Sequence, residues 1–253
     1  MRRLPIRAPI RVTTAFLLLL AGAAEAREAT CDPLALDLTL TPQRTLIYRS
    51  LKETLIVQAA RPERADVVLI GDSLLAGWRT DLPAAFPATA VYDFAVGGDR
   101  VPNVLWRIDN TDLSGLRPSA AALLIGTNDL AAGTPACAVA AGIEAIVGKL
   151  RAMWPGTPVF ALTIPPRGRD FHELDDGRNE VNAAIRLLGG RLENVHPVAI
   201  DDDAFTCGRY RSPLPAERQS CDIYADDNLH FSTKGYVVLG RILANALGKD
   251  VLR

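Results

Sequence analysis

Two short segments far apart in the chain carry the residue types that acyl transfer requires. Gly71-Asp72-Ser73-Leu74 follows the apolar run Val67-Val68-Leu69-Ile70, and Asp227-Asn228-Leu229-His230 precedes a helical pattern near the C-terminus. A serine hydroxyl is a weak nucleophile until a base takes its proton, and an imidazole does this best when a carboxylate fixes its tautomer. Ser73, Asp227 and His230 are a nucleophile, an orienting acid and a base, in the chain order Ser, Asp, His. Each also has a plainer reading. Gly-Asp-Ser-Leu at a strand end can be a turn. Asp227 can be a solvated acid and His230 a helix-capping side chain. The G-x-S-x-G elbow of α/β-hydrolases is not met, because Leu75 stands where its second glycine belongs.

Two intervening segments offer what a serine nucleophile needs besides a base. Val96-Gly97-Gly98-Asp99 follows the strand-like run Val91-Tyr92-Asp93-Phe94 and precedes a helical repeat at Val101, Val104, Leu105 and Ile108. Glycines there let backbone N–H groups approach a ligand closely. A second apolar run, Leu123-Leu124-Ile125, ends in Gly126-Thr127-Asn128-Asp129. The Asn128 amide is a neutral donor that could face a developing oxyanion. A turn glycine and a helix-capping asparagine are the bland alternatives. Four such signals at strand ends or in loops are a single pattern rather than four accidents.

With these residues in hand, the chain resembles the SGNH, or GDSL, hydrolase superfamily, and within it the platelet-activating-factor acetylhydrolase catalytic subunits and their bacterial relatives. The resemblance covers roughly residues 64 to 247. It is carried by Asp66 to Ser73, by Val96-Gly97-Gly98-Asp99-Arg100 with Val104-Leu105-Trp106-Arg107, and by Gly126-Thr127-Asn128. Gly142 to Val147, Pro166-Arg167-Gly168 and the Asp227–His230 block continue it. The resemblance implies that Ser73 is the nucleophile, His230 the general base and Asp227 its orienting partner. It further implies an oxyanion hole made by the Ser73 and Gly98 N–H groups and the Asn128 side chain. The chain departs at Asp93 and Ala95, where the brain subunits carry Asn and Gly. The implied fold is a flavodoxin-like three-layer α/β/α sandwich with a five-stranded parallel sheet. The implied activity is cofactor-free and metal-independent hydrolysis of short acyl esters, carbohydrate O-acetyl groups foremost. A lysophospholipase or arylesterase is the alternative hydrolase, and an O-acyltransferase would use the same acyl-serine. A non-catalytic glycan-binding module would need no Ser–His–Asp set.

The elements that must position these residues are visible as alternating apolar runs and helical repeats, the mark of a parallel sheet covered on both faces. Val159 to Leu162 and Val195 to Ile200 read as later strands. Helical repeats fall at Ile143, Ile146, Val147 and Leu150, at Val181, Ala184, Ile185 and Leu188, and at Leu239, Ile242, Leu243 and Ala246. In such sheets ligands bind beyond the carboxyl ends of the strands, where the serine, glycine and asparagine segments all fall. Residues 27 to 65 read as a lead-in. Thr41-Pro42 looks like a helix start, Ile47, Leu51 and Leu55 mark its buried stripe, and Pro62 closes it before the hydrolase domain at residues 66 to 253. This helix is expected to pack on the sheet and to carry no chemistry.

Residues 1 to 26 follow a secretion pattern: Arg2, Arg3, Arg7 and Arg11, an apolar stretch from Ala15 to Ala24, and Ala24-Glu25-Ala26 as the cleavage site. The apolar stretch is short for a membrane span. Removing the leader would take the net charge from −1 to −4 and leave about 227 residues, enough for one α/β domain. A mildly acidic chain gives no reason to expect nucleic acid as a partner. The expected location is periplasmic or secreted, the expected partner a small ester or acylated glycan, and no stable membrane anchor is expected. In an exported chain Cys31, Cys137, Cys207 and Cys221 are expected to form disulfides, with three connectivities open. The simplest joins Cys207 to Cys221 and Cys31 to Cys137. His172 and His196 have no ligand-like spacing with these thiols.

Overall fold

Every residue of Val67–Gly71 is buried, and so is every residue of Ala120–Leu124 and of Val159–Leu162. Strands buried on both faces need helices on both sides. In the computed structural model, which describes residues 31–200, 203–211, 221–248 and 251–252, this is the arrangement. The strands are β1 (Val67–Gly71), β2 (Val91–Asp93), β3 (Ala120–Leu124), β4 (Val159–Leu162) and β5 (Val195–Val198). They form one all-parallel sheet in the order β2-β1-β3-β4-β5. That is the flavodoxin-like order, so the expected fold class is met.

Side chains sort by parity. Val68, Ile70, Ala121, Leu123, Val159 and Ala161 join a core with α5 (Val101–Asp109), α7 (Ala136–Met153) and α8 (Asp175–Arg191). Val67, Leu69, Ala122, Leu124, Phe160 and Leu162 join a second core with α3 (Ser73–Ala76), α4 (Leu82–Ala85) and α9 (Thr233–Leu247). Alternate Cβ atoms of a strand point to opposite faces, which produces the three layers. The repeats expected in α5, α7 and α8 are buried apart from the half-buried Ala184. In α9 the buried stripe runs Tyr236, Leu239, Leu243 and Leu247, whereas Ala246 faces solvent and Ile242 is half-buried.

The lead-in differs from its expectation. Thr41 does not start a helix but caps the end of α1 (Pro33–Leu40), whose start carries Pro33 at N1 and an Asp32 side chain accepting from Leu34 N–H. The next helix, α2 (Tyr48–Ala59), begins later, and its buried residues are Ser50, Thr54 and Val57. Ile47 and Leu55, two of the three residues expected on the buried stripe, are 60% and 53% exposed. The reason is what α2 meets. Its N-terminal half turns Ser50 and Glu53 toward the backbone of the loop after β2, while Val57 further along joins the apolar core, so the buried face is not the Ile47-Leu51-Leu55 stripe.

Both disulfides follow the simplest connectivity. Cys31–Cys137 fastens the chain ahead of α1 to the start of α7, and Cys207–Cys221 closes a loop of 14 residues' separation. The expected leader, residues 1–26, lies outside the described residues, as does Arg218 of the disulfide loop. Among the described residues no helix is long and apolar enough to cross a membrane.

Candidate active site

Ser73 stands two residues beyond the last residue of β1 as the first residue of α3. Asp72 caps that short helix by accepting from Leu74 N–H at 2.9 Å. Gly71 is required at the strand end, because a Cβ there would lie 2.0 Å from Leu124 O of the adjacent strand. From the other end of the chain, the segment around His230 is folded into a tight turn. Ala225 N–H donates to His230 O at 2.8 Å, Ser232 N–H to Ile223 O at 2.9 Å, and Tyr224 bridges Phe231. Asn228 takes a left-handed conformation at φ 52° inside this turn, a conformation asparagine tolerates better than most residues.

The turn brings the three sequence-separated groups into one relay. His230 Nε2 lies 2.9 Å from Ser73 Oγ, and His230 Nδ1 lies 2.6 Å from Asp227 Oδ2. Asp227 Oδ1 accepts the backbone N–H groups of Leu229 and His230 at 3.0 and 2.9 Å. Burial by itself would raise the Asp227 carboxyl, but the bonds from the His230 side chain and from these two N–H groups outweigh it and hold the carboxyl below its ordinary value. The carboxylate is therefore ionised throughout the neutral range, ready to accept a hydrogen bond from Nδ1–H.

The sheet also gathers the expected oxyanion segments. β1 lies between β2 and β3, so the loops after these three strands meet at one edge. Val96 N–H donates to Gly71 O at 3.1 Å, drawing the Gly97-Gly98 loop over the end of β1. A Cβ added at Gly97 would lie 3.9 Å from Ser73 Cβ. Gly98 has φ 79°, a conformation that favours glycine. Asn128, in α6 (Thr127–Ala131), donates from Nδ2 to Asp99 O at 2.9 Å, joining the third segment to the second.

Several supporting residues had no role assigned from the sequence, although Arg107, Arg167 and Gly168 lie in segments that carry the family resemblance. Arg107, fully buried, pairs with Asp99 at 2.7 Å and donates to Gly71 O and Phe94 O, the carboxyl ends of β1 and β2. Arg167 donates to Thr127 Oγ1 at 3.2 Å and pairs with Glu173, while Gly168 N–H donates to Asn228 O, which ties the chain after β4 to the His230 turn. Tyr224 Oη donates to Pro166 O at 2.5 Å for the same effect. Ser50, Glu53 and Arg79 touch the Gly97 loop from α2 and from the chain after α3. Below the site, burial pushes the Asp72 carboxyl up to about 8 against the Leu74 N–H bond, and burial likewise raises Asp129 to about 7. Among the described residues there is no group of three or more His, Cys, Asp or Glu placed to hold a metal ion.

The fold and the site together are a five-stranded parallel α/β sheet carrying a Ser–His–Asp relay at its carboxyl edge. Residues 69–238 match the GDSL-like Lipase/Acylhydrolase family, and the chain belongs to that family. It is 32% identical over 198 residues to the human Platelet-activating factor acetylhydrolase IB subunit alpha1, covering 76% of this chain and 79% of that one. To the alpha2 subunit from Gallus gallus it is 30% identical over 151 residues, 57% of this chain and 63% of that relative, so the match spans less than two thirds of that relative. Its fold is similar to that of a GDSL-like lipase from Bacteroides thetaiotaomicron, with a TM-score of 0.57, 18% identity, and 79% of this chain and 97% of that one covered.

Proposed function

We propose that the protein is an exported esterase that removes short acyl groups, acetyl foremost, from a carbohydrate through a covalent acyl-Ser73 intermediate. The observation that carries this reading is the unbroken relay from Ser73 Oγ to His230 Nε2 and from His230 Nδ1 to Asp227. Ser73 Oγ attacks the ester carbonyl carbon while His230 Nε2 takes its proton. The tetrahedral oxyanion is held by the Ser73 and Gly98 N–H groups and the Asn128 amide, donors whose bonds strengthen as charge develops. Collapse breaks the bond to the alcohol oxygen, which leaves with the proton from His230. Water then attacks the acyl-serine with His230 as base, releasing the carboxylic acid and restoring Ser73. Asp227 keeps the imidazole in the required tautomer and stabilises the imidazolium that forms in each half-reaction.

A short acyl chain is supported by the names of the relatives at 29–32% identity, which are acetylhydrolases. A carbohydrate alcohol is supported by a cleft of about 490 Å³ that reaches Gly98 and is lined by Gln43, Thr45, Arg100 and Asn103 together with Leu46 and Ile47. Hydrogen-bonding and aliphatic groups side by side suit the two kinds of surface on a sugar ring. Export is supported by the two disulfides, which persist in oxidising compartments. A second reading, an acetyl ester of a lipid alcohol, draws on the relatives' names and on Leu46, which is 96% exposed at the same cleft.

The deciding experiment is an ester panel of aryl acetates, acetylated oligosaccharides and an acetylated lysolipid, run on wild type and Ser73→Ala. Ser73→Ala is expected to stay folded, to lose turnover by several orders of magnitude, and to escape labelling by a fluorophosphonate that labels wild type. Labelling or near-normal turnover in Ser73→Ala removes the assignment. Preference for acetylated oligosaccharides over the lysolipid separates the two readings, and transfer of acetyl to an added glycan would mark an acyltransferase.

A further inference from the structure

We propose that Ser50 and Glu53 of α2 are positioning residues that set the orientation of the peptide unit presenting Gly98 N–H to the oxyanion; this rests on the reading of Gly98 as an oxyanion donor. In a trans peptide unit the carbonyl of one residue and the N–H of the next are coplanar and point in opposite directions, and the described residues contain no cis peptide bond. Gly97 O and Gly98 N–H belong to one such unit. Ser50 Oγ donates to Gly97 O at 2.7 Å from a residue that is 3% exposed. The Gly98 N–H is thereby turned away from α2. One unit earlier, Gly97 N–H donates to Glu53 Oε2 at 2.9 Å. Ser50 and Glu53 are three residues apart and so lie on one face of the helix, gripping the two polar groups of Gly97 together.

The grip matters because of the two glycines. With no Cβ on either side, the 97–98 unit can rotate at little steric cost, and rotation by half a turn would present a carbonyl oxygen to the oxyanion instead of a donor. The structure opposes that rotation from outside the loop. Glu53 is itself held by Arg79 at 3.0 Å. Arg79 also donates to Ala95 O at 2.9 Å and lies 2.9 Å from Asp93 Oδ2 in an ion pair without hydrogen-bond alignment. Arg79 follows Ser73 by six residues, so nucleophile and donor loop are referred to one frame. Side chains at 97 and 98 would press on the two residues that hold the loop. A Cβ at 97 would come within 3.2 Å of Glu53 Oε2, and one at 98 within 3.2 Å of Ser50 Oγ.

A device that aligns an oxyanion donor acts on the tetrahedral state and leaves ground-state binding alone. Ser50→Ala should therefore lower kcat about 10-fold while moving KM by no more than about twofold, a fraction of the loss for removing a donor outright. A boronic acid that forms a tetrahedral adduct on Ser73 should lose affinity by the same factor. Ser50→Thr, which keeps the hydroxyl, should restore both, and Glu53→Ala should resemble Ser50→Ala. Turnover is expressed per active site, counted by complete fluorophosphonate labelling, so that a loss of folded protein does not enter. Wild-type kcat per site in Ser50→Ala, unchanged boronate affinity, or an equal loss in Ser50→Thr would each overturn the proposal. An active Ser73→Ala would instead remove the catalytic reading itself, whereas an inert Ser73→Ala beside a fully active Ser50→Ala removes only the clamp.

Discussion

Asn128 uses one of its two amide hydrogens within the fold, on Asp99 O, which leaves the second free to face a ligand. If that second hydrogen meets the oxyanion, Asn128→Ala should lower kcat by about 10²–10³-fold with little change in KM. Steady-state kinetics on an aryl acetate decide the matter, and a change confined to KM would place Asn128 in substrate binding instead. At this same scale Ser73, Asp227 and His230, which folding brings within hydrogen-bond reach of one another, were legible only as a combination of segments, since Ser, Asp, Asn and Gly taken singly are ordinary turn residues. Ser50, Glu53, Arg79 and Arg107 were not. Each hydrogen-bonds to backbone brought close by folding, and a serine or arginine in a helical stretch looks the same whether it faces water or a buried carbonyl.

The turn between Tyr224 and Phe231 that carries Asp227 and His230 follows directly on the Cys207–Cys221 bridge. Cys221 is six residues ahead of Asp227, and the loop is anchored at its other side by Tyr210, whose hydroxyl donates to Asp175 at 2.6 Å at the start of α8. Removing the bridge with Cys207→Ser and Cys221→Ser frees a loop of about 15 residues, worth about 3 kcal/mol in the chain-entropy account. A domain of this size should then melt about 6–12 °C lower. If the loop also forms a wall of the substrate cleft, with Arg209 and Arg211 facing a bound glycan, kcat/KM should fall more for acetylated polysaccharides than for small aryl acetates. Melting curves and the ester panel test both parts, and equal loss across the panel would reduce the bridge to a stabiliser. The bridge itself was foreseeable from four cysteines in a chain with a secretion pattern, but the hold of Tyr210 on α8 was not.

For the molecule as a whole, the buried carboxyls beneath the site set how stability varies with pH. Burial pushes Asp72 up to about 8, Asp129 to about 7 and Asp93 to about 6, each from an ordinary value of 3.8. A carboxyl whose value is higher in the folded state binds its proton more tightly there, so the native state holds more protons than the unfolded chain between these limits. Their contribution is fully present below about pH 4 and is lost as pH rises through about 6 to 8. Asp72 Oδ2 is buried without a hydrogen-bond partner, so it is the neutral carboxyl that suits its site. Asp72→Asn keeps an acceptor for Leu74 N–H and cannot ionise. It should melt within a degree or two of wild type near pH 4 and several degrees above it near pH 9, given about 2–4 °C per kcal/mol in a domain of this size. Parallel melting curves of the two proteins from pH 4 to 9 would contradict this.

What the sequence by itself determined is the part of the protein that local pattern can express. The strand cores, the helices α5, α7 and α8 and the Ser73 and His230 segments follow from apolar periodicity, residue type or chain spacing, whereas four cysteines left three pairings open and the fold selected Cys31–Cys137 and Cys207–Cys221. Tertiary structure alone decided the rest. The aliphatic repeat through Ile47, Leu51 and Leu55 indicated one face of a helix, yet the buried face of α2 is Ser50, Thr54 and Val57. Periodicity reports where apolar surface would leave water, but the N-terminal half of α2 packs where the surface to be covered is the polar backbone of the Gly97 loop. In the same way Arg107 reads as an ordinary helical cation until folding places Gly71 O and Phe94 O around it. Apolar burial is driven by each residue's own aversion to water and can be read along the chain. Polar burial depends on a partner that only the folded chain supplies.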